Sequence, residues 1–166
     1  MGEHRGTERT STTIVPRTNG GLTVLSLSPL DEDHLRLQAI VSHSTWTLLT
    51  ARDLESAVTM LQHHEVAVIV CERDLSQGTW IDVLDHIDTL PNAPSLIVTS
   101  GLADDHLWAE VLNLGAWGVL AKPFDRKEVI RSVKSGWQHW HDRTHVRAKA
   151  MAAATADEVR ALAAAG

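Results

Sequence analysis

Apolar and polar positions come in blocks along the chain. Five short apolar runs, Leu22–Leu27, Trp46–Ala51, Val66–Cys71, Leu96–Ser100 and Val119–Ala121, are separated by stretches in which apolar residues recur every three or four positions. Short runs rich in β-branched residues predict strands, and the longer spacing predicts helices. Asp31 is expected to cap the first helix, whose apolar face would be Leu35, Leu37, Ile40 and Val41, and Asp53 the second, with Ala57, Val58 and Leu61. Trp80, Ile81, Leu84, Ile87 and Leu90 line a third, which Pro91-Asn92-Ala93-Pro94 stops. A fourth runs from about Asp104 to Leu114, and Gly115 suits a left-handed C-terminal cap. The last helix starts near Asp125. Strict alternation of strand and helix implies right-handed βαβ units, hence a doubly wound α/β fold. The expected architecture is a five-stranded parallel sheet in the order 2-1-3-4-5, flavodoxin-like, with an extended C-terminal helix.

The third run, Val66–Cys71, reads as a strand buried on both faces, and it ends on Glu72-Arg73-Asp74. Ligand crevices of doubly wound sheets lie at the carboxyl ends of the strands. Glu72 therefore stands where chemistry would occur; the competing reading is a strand-end acid that stays in water.

The last helix does not stop where the sheet is covered. Val129, Val133, Trp137, Trp140, Thr144 and Met151 continue an apolar stripe into the alanine-rich stretch Ala150–Ala165. Thr155 with Glu158 fits a capping box that would restart a short final helix. A lone alanine-rich helix is marginal in water, so the stripe calls for a partner, its own copy in a dimer, or else frays. The chain is expected to divide into a polar, disordered leader (1–20), a folded domain (21–141) and a helical extension (142–166).

Charge and composition narrow the functional classes. A net charge of −6, from 15 Lys+Arg against 21 Asp+Glu, argues against a nucleic-acid partner. A single cysteine, Cys71, excludes an internal disulfide framework and fits a reducing cytoplasm; beside Glu72 on a buried strand it is expected to be inert. No apolar run reaches the ~18 residues of a membrane span, and no secretory signal is visible. His141 and His145 have a metal-capable spacing, but without a fixed carboxylate or thiol nearby they read, with His139, as a solvated face. His63-His64 fits a helix C-terminus. No nucleophile–base pair and no phosphate loop stands out.

Four features carry a family resemblance over Leu22–Trp137. Lys122-Pro123-Phe124 follows the fifth strand, Gly115-Ala116 precedes it, Thr99-Ser100 ends the fourth, and Leu75-Ser76-Gln77-Gly78 makes the turn after the third. Together, on a five-fold alternation, they resemble the receiver domain of two-component response regulators, so the folded domain 21–141 is expected to be receiver-like. The resemblance implies signalling by protein–protein contact rather than enzymatic turnover. It also implies a phosphoacceptor Asp at the end of the third strand, where this chain has Glu72. The acid pair that holds Mg²⁺ at the end of the first strand falls on Ser28 and Pro29, neither a carboxylate. The aromatic switch position falls on Val119, which has no ring. The hydroxyl position falls on Thr99 or Ser100, the conserved-type lysine on Lys122.

These departures point to an atypical, pseudo-receiver form with no metal and no cofactor, in which Glu72 pairs with Lys122. Asp31, Glu32 and Asp33 are expected to form the acidic first turn of a helix rather than a site. The rival readings are a receiver that still takes phosphate through a rearranged acid cluster, and a flavodoxin-like small-ligand domain. Trp108, Trp117, Trp137 and Trp140 fall on the side formed by the fourth helix, fifth strand and fifth helix. In receivers this side grips partners, so they are candidate interface residues toward a second copy, a histidine kinase or another regulator.

Overall fold

The computed structural model describes residues 21–166; the expected leader, 1–20, lies outside the described residues. Five strands, β1 (Thr23–Leu27), β2 (Thr47–Ala51), β3 (Val68–Glu72), β4 (Ser95–Ser100) and β5 (Gly118–Ala121), form one parallel sheet in the order β2-β1-β3-β4-β5. Between them run α1 (Asp31–Val41), α2 (Leu54–His63), α3 (Trp80–Ile87) and α4 (Asp105–Asn113), and α5 (Arg126–Ala164) follows the last strand. The expected α/β architecture, strand order and long last helix are all present.

Helices cover both faces because the strands alternate their side chains. Leu25, Leu27, Ile69, Cys71, Leu96, Val98 and Val119 pack with residues of α2, α3 and α4. Val24, Val68, Val70, Ile97 and Leu120 pack with Leu37 of α1 and Val129, Val133 and Trp140 of α5. This division by odd and even position decides the site below.

Several local signals act as expected. Asp53 accepts from Ser56 N at 2.8 Å to cap α2, and Asp125 accepts from Glu128 N at 2.9 Å to cap α5. Gly115 has a φ of +96°, the left-handed conformation its place after α4 requires.

Others differ. Asp31 does not cap α1: Leu30 is the N-cap, without a side-chain bond, and Asp31 pairs with Arg52. Leu35 is 69 % exposed; the buried positions of α1 are Asp33, Leu37 and Val41, spaced by four. The last helix does not restart at Thr155. It runs unbroken for 39 residues, about 58 Å at ~1.5 Å per residue. Thr155 Oγ1 donates instead to Met151 O, a mid-helix bond one turn back.

Candidate functional site

The site assembles at the carboxyl edge of the sheet from residues of one parity. Val68 and Val70 of β3 face α1 and α5, so Glu72 does too. Ile97 of β4 sets the same face for Thr99, Leu120 of β5 for Lys122, and Val24 of β1 for Ser26 and Ser28. From above, the first turn of α1 lowers Asp33 onto this row, because Asp33 continues the buried Leu37–Val41 stripe by one turn.

Lys122 is the centre. Its Nζ lies 3.1 Å from Asp33 Oδ2 and in direct contact with Glu72 Oε2. The three side chains keep little exposure: 18 % for Lys122, 12 % for Glu72 and 8 % for Asp33. Hydroxyls finish the arrangement. Ser28 Oγ donates to Asp33 Oδ2 at 2.7 Å, and Thr99 Oγ1 donates to Glu72 Oε2 at 3.1 Å. His34, one residue beyond Asp33, bonds Ser26 Oγ at 2.7 Å through Nδ1. Its Nε2 donates to Ser28 O at 3.0 Å, which pins the end of β1. Among the described residues no buried side-chain N or O lacks a partner, the condition under which such a network stabilises a fold.

The expected Glu72–Lys122 pair is thus present, and a second acid joins it. Asp33 was expected only as a helix-terminal charge; it turns inward, while Asp31 and Glu32 pair outward with Arg52 and Arg36. Of the two hydroxyl candidates, Thr99 touches the site, whereas Ser100 faces the α4 side and accepts from Leu102 N. Pro29 contributes no polar contact. Val119 is buried on the opposite face of the sheet, among the α3 and α4 residues.

Burial pulls the pKa of Lys122 down. The hydrogen bonds to Glu72 and Asp33, with the charges of both, outweigh that and hold it above its ordinary 10.5. The bridge therefore contributes stability that is fully present below about pH 10.5 and is lost as pH rises through the raised value. Above pH 10.5 the urea midpoint of the native chain is expected to fall more steeply than that of Lys122→Met. Cys71, fully buried, has its thiol pushed up by burial and then by the Glu72 charge, so it is unreactive.

The residues present do not fit a bound Mg²⁺. That ion is held through one or two carboxylates that are free to face it; here both carboxylates close on an ammonium, and Ser28 and Pro29 supply none. Among the described residues no group of three or more His, Cys, Asp or Glu converges as a metal cluster.

The four tryptophans do not form one surface. Trp140 is buried in the core, and its Nε1 donates to Asn92 O at 3.3 Å, so it is removed from any docking face. Trp117 stacks on His139 with ring centroids 4.4 Å apart, and Trp137 lies against His141. Both are half-buried. Trp108 is 39 % exposed on α4, near exposed Leu112.

Comparison with known proteins adds the family. The family described as "Response regulator receiver domain" matches residues 31–134. The chain belongs to the response regulator receiver family. The receiver domain of a Pseudomonas fluorescens Pf-5 HD domain-containing protein is 25 % identical, with a TM-score of 0.69, covering 80 % of this chain and 98 % of that one. The chemotaxis response regulator CheY4 of Vibrio cholerae is 15 % identical (TM-score 0.63; 70 % and 98 % covered). The beryllofluoride-activated NtrC4 receiver domain dimer is 22 % identical (TM-score 0.65; 71 % and 98 % covered). No curated protein matches the chain. The receiver therefore serves two-component signalling, and no helix among its described residues is long and apolar enough to cross a membrane.

Proposed function

We propose that this receiver signals by protein–protein contact and independently of phosphorylation. One observation carries the reading: the ammonium of Lys122 lies between the carboxylates of Asp33 and Glu72 and is bonded to both. A phosphoacceptor needs a carboxylate free to attack and a cation to neutralise the incoming phosphoryl group. Here the acid at the acceptor position is a glutamate already bonded to Lys122 and Thr99, and the cation is spent on holding the site closed. Val119 offers no ring to report a change. The site then fixes one arrangement of the sheet edge instead of switching between two.

Incubating the chain with a small acyl phosphate and Mg²⁺, followed by intact mass spectrometry, tests this. No phosphate is expected on the protein; incorporation at Glu72 or Asp33 would overturn the reading.

The binding surface proposed is the α4–β5–α5 side with Trp108 at its centre, or the projecting half of α5. A second copy is the partner we favour, and the dimeric state named for the NtrC4 receiver is consistent with it. From His145 on, α5 is exposed, with Val146, Met151, Val159 and Leu162 open to water. Solution mass separates the two surfaces. The full chain is expected to be a dimer and the chain truncated after Asp142 a monomer; a dimer that survives truncation would move the contact to the Trp108 side.

A further inference from the structure

We infer that the projecting half of α5 pairs with the same segment of a second copy as an antiparallel coiled coil, which holds the two receivers at opposite ends of one paired rod. The inference rests on the reading that a second copy is the partner, and says how that copy lies.

The seam is written along the helix. His145, Ala148, Ala152, Thr155, Val159 and Leu162 recur at three- and four-residue spacing, so they form one stripe, and all six are exposed. Val159 and Leu162 are large apolar side chains left open to water, the surface that pairing buries. Met151 flanks the stripe, and Val146 lies on the far face. Thr155 enters the stripe without leaving a polar group unpaired, because its hydroxyl donates to Met151 O at 2.9 Å within its own helix. The contacts with the domain lie elsewhere on the helix: Trp140, Arg143 and Arg147, which bond the carbonyls of the Pro91–Pro94 loop, are about a quarter turn away.

Side-chain size chooses the direction. With Ala152 opposite Thr155 of an antiparallel copy, the four central layers each set an alanine, Ala148 or Ala152, against a β-branched residue, Val159 or Thr155. His145 and Leu162 face each other at the two ends. Setting large against small keeps the helices evenly spaced along the seam. In a parallel copy every residue meets itself. Alanine then faces alanine near the receivers, while valine and leucine face themselves at the tips, so the helices splay.

Charge gives the same direction independently. Arg143, Arg147 and Lys149 occupy 143–149 with no acid among them, whereas 157–160 hold Asp157 and Glu158 against Arg160 alone. Asp157 takes Arg160 at 3.4 Å, and Glu158 has no cation partner among the described residues. An antiparallel copy lays each basic segment beside an acidic one. A parallel copy sets basic against basic and acidic against acidic.

The test is interchain disulfide formation under mild oxidation in the full chain, whose native Cys71 is buried and unreactive. Ala148→Cys and Val159→Cys are made as separate variants, then oxidised alone, and mixed after subunit exchange in reducing buffer. In the antiparallel register position 148 faces position 159. Two copies of either position lie eleven residues of rise apart, roughly 16 Å at ~1.5 Å per residue, beyond the ~7 Å between Cα atoms that a disulfide spans. The mixture is expected to give a covalent dimer, identified by peptide mass as a 148–159 link, and each variant alone at least tenfold less. Disulfides in both variants alone overturn the inference, since a parallel coil produces them. A native dimer that yields no link in this mixture, nor in one of His145→Cys with Leu162→Cys, overturns it too. A native chain that is a monomer by solution mass defeats the reading of a second copy as the partner, and the inference with it. A dimer with parallel links defeats the orientation alone, so the two failures are separable.

Discussion

Lys122→Ala is expected to lower the unfolding free energy by about 3 kcal/mol, read from urea denaturation at neutral pH. Breaking a buried ion pair from one side costs roughly 3–5 kcal/mol, because the remaining charge is left uncompensated. Here two acids are left, but the 18 % exposure of Lys122 lets water reach them, which places the effect at the low end of that range. The cost belongs to the orphaned carboxylates rather than to any contact of the lysine stem. Removing one of the two orphaned charges in Glu72→Gln/Lys122→Ala should therefore recover part of the loss, a non-additivity that pairs in contact show. A Lys122→Ala as stable as the native chain would mean that the bridge carries no weight.

Gly136→Val should cost about as much, about 3 kcal/mol, the upper end of the usual range for overpacking. At Gly136 α5 lies close against β3 and β4. A Cβ placed there would lie 3.3 Å from Trp117 Cδ1, 3.4 Å from Ser95 Cβ and 3.5 Å from Val68 Cγ2. Ser95 Oγ also donates to Gly136 O at 2.8 Å, a buried bond across the helix–sheet seam. Valine adds two methyls at a position where the Cβ alone already meets the Trp117 ring and both strands, and it strains that bond. Gly136→Ala is the control. Its better helix propensity, worth about 1 kcal/mol, offsets a single tight contact, so its urea midpoint should stay near that of the native chain.

Most of the architecture was legible in the sequence because glycine, proline and capping carboxylates separate the apolar runs cleanly. The site was half legible. Glu72 and Lys122 end runs whose strand character is plain, so their meeting follows from the sheet order. Asp33 was hidden by its company: beside Asp31 and Glu32 it reads as one of three acids favoured at a helix start. The signal that singles it out is its four-residue spacing from Leu37 and Val41, which puts it alone of the three on the buried face. Thr99 and Ser100 could not be separated without knowing that Glu72 pairs with Thr99 across β3 and β4, since one residue of slip exchanges the faces. Trp140 was misplaced for a longer-range reason. The loop that covers it, Pro91–Pro94, lies far away in sequence, and Trp140, Arg143 and Arg147 all donate to its carbonyls. At Thr155 the capping-box pattern was outvoted by the alanines on either side, which carry the helix straight through.

The unbroken last helix gives one rod two different strengths. Up to Trp140 its amides are anchored by core side chains, so hydrogen exchange there reports opening of the whole domain. Beyond Arg147 no core side chain among the described residues anchors them, and in the isolated monomer exchange proceeds by unzipping from Ala164 inward. A binding partner that clasps the distal turns would slow that unzipping without touching the proximal ones, so the point along the rod where protection changes maps where the partner sits.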